Sequence, residues 1–135
     1  MLISKTSRYA LQAATFLGER YDDERAVQVQ EIAEAIGVPR NYLAKILHQL
    51  ARQGVLLSER GPKGGFRLAL NPSEMTLAMV LEPVEPGLGD RHCLLGRPAC
   101  SDEDPCAAHS RWQKISGDMT RFLGETTLAD LARLG

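Results

Sequence analysis

Apolar residues recur along this chain with the spacing of short helices, interrupted by turn formers. From Ser4 to about Arg20, Tyr9, Leu11, Ala13, Phe16 and Leu17 mark a first amphipathic helix, with Ser4 placed to cap it. Tyr21-Asp22-Asp23-Glu24 is a polar break. A short second helix is predicted over about 29–36, where Val29, Ile32, Ala33 and Ile36 share a face; Gly37 closes it and Pro39 opens the next. The third helix, 39–53, carries Tyr42, Leu43, Ile46, Leu47 and Leu50 on one stripe and stops at Gly54. Residues 55–60 and 66–70 read as short strands around Gly61-Pro62-Lys63-Gly64-Gly65. After the break at Asn71-Pro72 come a short apolar helix over 74–82, a Pro- and Gly-rich loop over 83–109 and a long helix over about 110–124. A short turn at 127–131 follows.

Two helices joined by a tight glycine-containing turn, followed by a hairpin with a flexible, basic tip, are the sequence form of a winged helix-turn-helix. The expected fold class is therefore mainly α with a small β-hairpin: a DNA-binding winged helix-turn-helix plus a long C-terminal dimerisation helix. The expected division is 1–72 for the DNA-binding region, 73–90 for a connecting helix and linker, 91–109 for a cysteine-rich loop, and 110–135 for the dimerisation helix and terminal turn. With 135 residues, the chain is one domain by size.

Charge sharpens this picture. The net charge of -1 hides an asymmetry: residues 1–70 carry ten Lys/Arg against seven Asp/Glu, and 71–135 carry six against ten. Between 38 and 70 the only acid is Glu59, against Arg40, Lys45, Arg52, Arg60, Lys63 and Arg67. A basic pole on a mildly acidic protein points to a polyanion. Opposite the apolar stripe of the third helix lie Asn41, Lys45, His48 and Arg52, with Arg40 and Tyr42 at its N-terminal end, where recognition helices meet base edges. Asn can bond adenine at two positions and Arg or Lys can bond guanine; His48 reads as a surface histidine. Arg60 and Lys63 at the wing would neutralise phosphates or enter the minor groove. Lys5 and Arg8 either add phosphate contacts or are a plain charged helix end.

Trp112, Ile115, Met119, Phe122 and Leu123 form a stripe on the long helix that a chain of this size has little other core to cover. Two copies packed around a two-fold axis would hide both stripes and set two recognition helices against a palindromic promoter in double-stranded DNA. No run approaches the roughly 20 apolar residues of a membrane span. The first residues show no secretory signal, so the chain reads as cytoplasmic with no membrane partner.

In that setting thiols stay reduced, and clustered cysteines point to metal or redox chemistry rather than disulfides. Cys93, Cys100 and Cys106 fall in one stretch with His109 just beyond, in a loop that carries Gly87, Gly89, Gly96, Pro98, Pro105 and the acids Asp102, Glu103 and Asp104. Three thiolates and an imidazole are a four-ligand set for zinc or an iron–sulfur cluster. A metal-free thiol switch is the remaining reading of the same residues. No Ser-His-Asp set, paired carboxylate cleft or phosphate loop marks an enzyme.

Taken together, the segments SRYALQAATFL, EIAEAIGVPRNYLAKILHQLARQGVL and RGPKGGFRLA, the three-cysteine loop and the closing TLADL resemble the IscR/NsrR (Rrf) family of bacterial winged-helix regulators over nearly the full length. The resemblance implies a homodimer that represses or activates promoters under the control of an iron–sulfur cluster, two-iron or four-iron. It implies that Cys93, Cys100 and Cys106 are ligands. The fourth ligand varies in the family: a histidine shortly after the third cysteine, here His109, or an acid from the first helix of the partner. This chain has Arg8 and Gln12 at and beyond the place of that acid, which favours His109; His92, beside Cys93, is the competing local candidate.

Overall fold

The structure, a computed structural model, describes residues 3–87 and 108–134. His92, Cys93, Cys100 and Cys106 lie outside the described residues.

Helix α1 spans Lys5–Gly18, and the Ser4 hydroxyl accepts the Ser7 amide at 3.1 Å, as expected of an N-cap. Its buried face is Ser7, Ala10, Ala13, Ala14 and Leu17, whereas Tyr9, Leu11 and Phe16 are only half-buried. The shift from the expected face has a packing cause. Helices α2 (Val29–Ile36), α3 (Arg40–Arg52), α4 (Leu77–Leu81) and α6 (Leu128–Leu134) and strand β2 (Gly65–Leu68) all lie against α1. Small side chains let so many elements approach one helix closely. The polar break is a 3-10 turn, Tyr21–Asp23.

Helix α2, Val29–Ile36, ends at Gly37 in the left-handed region, φ 70°. Helix α3, Arg40–Arg52, begins one residue after Pro39 and buries Leu43, Ile46, Leu47 and Leu50. Tyr42 leaves the expected stripe and stays 40% exposed. Strands β1, Leu56–Glu59, and β2, Gly65–Leu68, pair antiparallel with Leu56 opposite Leu68 and Glu59 opposite Gly65. On the other edge of β2, Val27 and Phe66 exchange two backbone hydrogen bonds, both 2.8 Å. Gly65 makes that closeness possible: its φ is 141°, and a Cβ there would strike the Val27 carbonyl.

Helix α4 is a short piece, Leu77–Leu81, capped by Thr76, whose hydroxyl accepts the Met79 amide at 3.2 Å. Helix α5 runs His109–Glu125 and α6 runs Leu128–Leu134. The expected terminal turn is thus a full helix. Its start is a reciprocal cap: the Asp130 carboxylate accepts the Thr127 amide at 3.0 Å, and the Thr127 hydroxyl accepts the Asp130 amide at 3.2 Å. Backbone bonds from Leu77 to Thr126 and from Leu128 to Met75, both 2.9 Å, fasten this end to the start of α4.

One apolar core runs from Leu17 through Leu47 and Leu68 to Leu123 and Leu128. Burying each such leucine contributes about 1.5–3 kcal/mol. The stripe of α5 divides: Leu123 is buried, Trp112 and Met119 are half-buried, and Ile115 and Phe122 are 53% and 55% exposed.

Candidate nucleic-acid interface

The start of α3, the start of α1 and the wing are the parts that sequence reasoning assigns to DNA. Arg40, Asn41, Lys45 and Arg52 project from α3 with exposed side chains, because its other face is committed to the core. Tyr42 departs from that core face for a specific reason. Its hydroxyl bonds Thr6 Oγ1 at 2.6 Å, and its ring meets Tyr9 edge-on, centroids 5.7 Å apart. Lys5 Nζ lies 5.9 Å from the Tyr9 ring centre, an attractive position for a cation. Lys5 and Tyr42 are therefore brought to one corner, where the first turns of α1 and α3 touch.

The wing closes on the same helix. Arg40 shares the rim of a hollow of about 230 Å³ with Gln28, Val29 and Gln30 from the start of α2 and with Glu59, Gly61, Gly64 and Gly65 of the hairpin. Lys63 lines a neighbouring hollow with Arg25 and Gln28, and Arg60 is exposed beside it on the chain. Gln28 Nε2 donates to the Pro62 carbonyl at 2.9 Å, which ties the wing tip to α2. The exposed His48 stacks edge-on against Phe66, centroids 5.2 Å apart, as a surface histidine.

Electrostatics favour an anion here. Arg67 Nε pairs with Glu59 at 3.2 Å, with both side chains partly exposed. That pairing answers the single acid of the stretch 38–70, so its cationic surplus rests on Arg40, Lys45, Arg52, Arg60 and Lys63. Such exposed pairs contribute little to stability, and their effect is on the local field.

Of the expected metal ligands only His109 is described. It is the first residue of α5 and half-buried. Among the described residues no group of three or more His, Cys, Asp or Glu side chains is gathered. As a donor set, three thiols and an imidazole fit zinc or an iron–sulfur cluster equally. Arg8 and Gln12 on α1 are both exposed. No helix among the described residues is long and apolar enough to cross a membrane.

Several contacts were not legible beforehand. Gln28 and Thr6 are ordinary polar residues whose partners, Pro62 and Tyr42, are distant in sequence. The same holds for Gln49, whose Nε2 donates to the Pro83 carbonyl at 2.6 Å, and for Ser7, whose Oγ donates to Glu85 Oε2 at 2.5 Å. Local sequence carries no signal for such pairs.

Comparison with known proteins places this architecture. The family Rrf2, described as an iron-dependent transcriptional regulator, matches residues 3–134. An Aquifex aeolicus protein classed among HTH-type transcriptional regulators is 37% identical over 136 residues, covering 99% of this chain and 93% of that one. The HTH-type transcriptional regulator IscR of Pectobacterium atrosepticum is 31% identical over 131 residues, covering 97% and 79%. Among solved structures, CymR, titled the global cysteine regulator of B. subtilis, superposes with a TM-score of 0.84 at 25% identity, covering 98% of this chain and 97% of that one.

Proposed function

Because the chain belongs to the Rrf2 family of transcriptional regulators, we propose that it binds promoter DNA as a homodimer whose affinity is set by an iron–sulfur cluster on Cys93, Cys100, Cys106 and His109. It is a regulator and not an enzyme. The observation that carries the DNA reading is the convergence of Arg40, the wing glycines and Gln28 around one hollow, beside the exposed face of α3. In this reading Asn41 and Arg40 meet base edges, with Tyr42 held beside them. Lys45, Arg60, Lys63 and Lys5 neutralise phosphates. Trp112, Ile115, Met119 and Phe122 cover one another across a two-fold axis, and two recognition helices then face a palindromic site.

The roles divide as 1–72 for reading DNA, 73–90 for connection, 91–109 for the cluster and 110–135 for dimerisation. These are divisions of role, since one apolar core joins α1 to α6. When bound, the cluster would supply redox and ligand-exchange chemistry. Support for it comes from the soft donor set and from the likeness to IscR.

A second reading keeps the regulator and replaces the cluster by thiol chemistry of the same cysteines. The likeness to CymR, a cysteine regulator by its title, favours it. Purification without oxygen, a visible spectrum and parallel assays of iron, sulfide and zinc separate the readings. Brown protein with stoichiometric sulfide, lost in Cys100→Ala together with promoter affinity, is the expected result. Colourless protein containing zinc would sink the cluster, and colourless protein with no metal would leave the thiol switch.

A further inference from the structure

The segment leading from α4 into the cysteine-bearing stretch is fastened at two points to the helices that read DNA. Gln49, on α3, holds the Pro83 carbonyl at 2.6 Å. Ser7, fully buried in the first turn of α1, donates its hydroxyl to Glu85 Oε2 at 2.5 Å. The Ser7 oxygen in turn accepts the Ser4 hydroxyl at 3.1 Å, and Ser4 caps the helix by accepting the Ser7 amide. The carboxylate thus anchors a chain of hydrogen bonds that ends at the N-cap of α1. A bond to an ionised acceptor is about twice as strong as a neutral one, and linked bonds polarise one another. Next to Ser7, the Thr6 hydroxyl meets Tyr42 at 2.6 Å, in the first turn of α3.

We propose that Glu85 is a positioning residue for DNA recognition: through Ser7 it fixes the first turn of α1, and through Thr6 and Tyr42 it sets the start of the recognition helix. Glu85 itself touches no DNA in this arrangement. The Gln49–Pro83 bond fastens the same segment to the last turn of α3, so the segment braces the reading head from two sides. Displacement of residues 83–87 from α1 then reaches Tyr42 through the Glu85–Ser7 bond, the backbone joining Ser7 to Thr6, and the Thr6–Tyr42 bond, without repacking the leucine core. The inference rests on the DNA-binding reading and not on the identity of the group that the cysteines hold.

The test uses a duplex selected from a random library by the wild-type protein, with fluorescence anisotropy as the readout and an unselected duplex as control. Glu85→Ala is expected to weaken specific binding by about tenfold while leaving affinity for the control duplex unchanged. Glu85→Gln keeps an acceptor for Ser7 and should retain affinity to within about threefold. Thr6→Val keeps the tyrosine itself but cuts the link to it, so Glu85→Ala added to Thr6→Val should cost nothing further. Ser7→Ala, a smaller perturbation of the fold, should reproduce the loss seen in Glu85→Ala. Unchanged specific affinity in both Glu85→Ala and Ser7→Ala would overturn the proposal. So would losses that multiply in the double variant, or a loss shared equally by the control duplex. A wild-type protein that selects no duplex would instead remove the DNA-binding reading.

Discussion

Helix α3 buries the leucines and the isoleucine of its stripe, whereas α5, with a stripe of similar period, hides Leu123 and leaves Ile115 and Phe122 more than half exposed. The difference lies in the neighbours. Helix α3 is packed by α1, α2 and β1, while α5 meets chiefly α4. An apolar stripe specifies which face of a helix must be covered, but what covers it depends on the rest of the molecule. For α3 the cover is its own domain, which frees the opposite face to carry Asn41, Lys45 and Arg52. For α5 the described part of the domain buries Leu123 and partly covers Trp112 and Met119, and a second copy is the proposed cover for Ile115 and Phe122.

The comparison is most severely tested at Leu47, which is fully buried. Leu47→Ala should lower the free energy of unfolding by about 2–5 kcal/mol in urea titrations, since it leaves a cavity in a closed core. A loss under about 1 kcal/mol would mean that α3 is not packed as described. Phe122→Ala should behave differently. In dilute protein its stability should change by less than about 1 kcal/mol, while dimer dissociation measured by sedimentation should ease by about tenfold. Wild-type protein that sediments as a monomer at all concentrations would remove the second copy from the account of α5. The smallest effect is expected at Lys45, on the free face of α3. Lys45→Ala should shift stability by no more than about 0.5 kcal/mol yet flatten the dependence of log affinity on log salt by about one unit. An unaltered salt slope would place Lys45 away from phosphate.

The same contrast explains what could be read from the chain in advance. The stripe Leu43-Ile46-Leu47-Leu50 and the hairpin around Gly61-Pro62-Lys63-Gly64-Gly65 are local patterns, and both are present in the fold. Of the face expected for α1, Ala13 and Leu17 are buried, while Tyr9, Leu11 and Phe16 lie at its margin because the crowded centre favours the smaller Ser7, Ala10 and Ala14. Helix α6 reads as a turn in the sequence because it has only seven residues. The Thr127–Asp130 cap that stabilises its start was present in TLADL. The basic pole was legible from composition alone. Its geometry was not, because Thr6–Tyr42, Gln28–Pro62 and Ser7–Glu85 join residues that only the tertiary fold makes neighbours. The expectations for His92, Cys93, Cys100 and Cys106 fall outside the described residues.

Phe66 is held by the two backbone bonds it exchanges with Val27 and by the His48 ring, and the wing tip by Gln28. In the proposed reading the wing therefore meets a duplex already shaped, and the conformational freedom a slack loop would give up on docking is given up on folding instead. Capture of DNA is then a matter of two rigid surfaces finding one another under a long-range field. Association should therefore slow as salt screens that field.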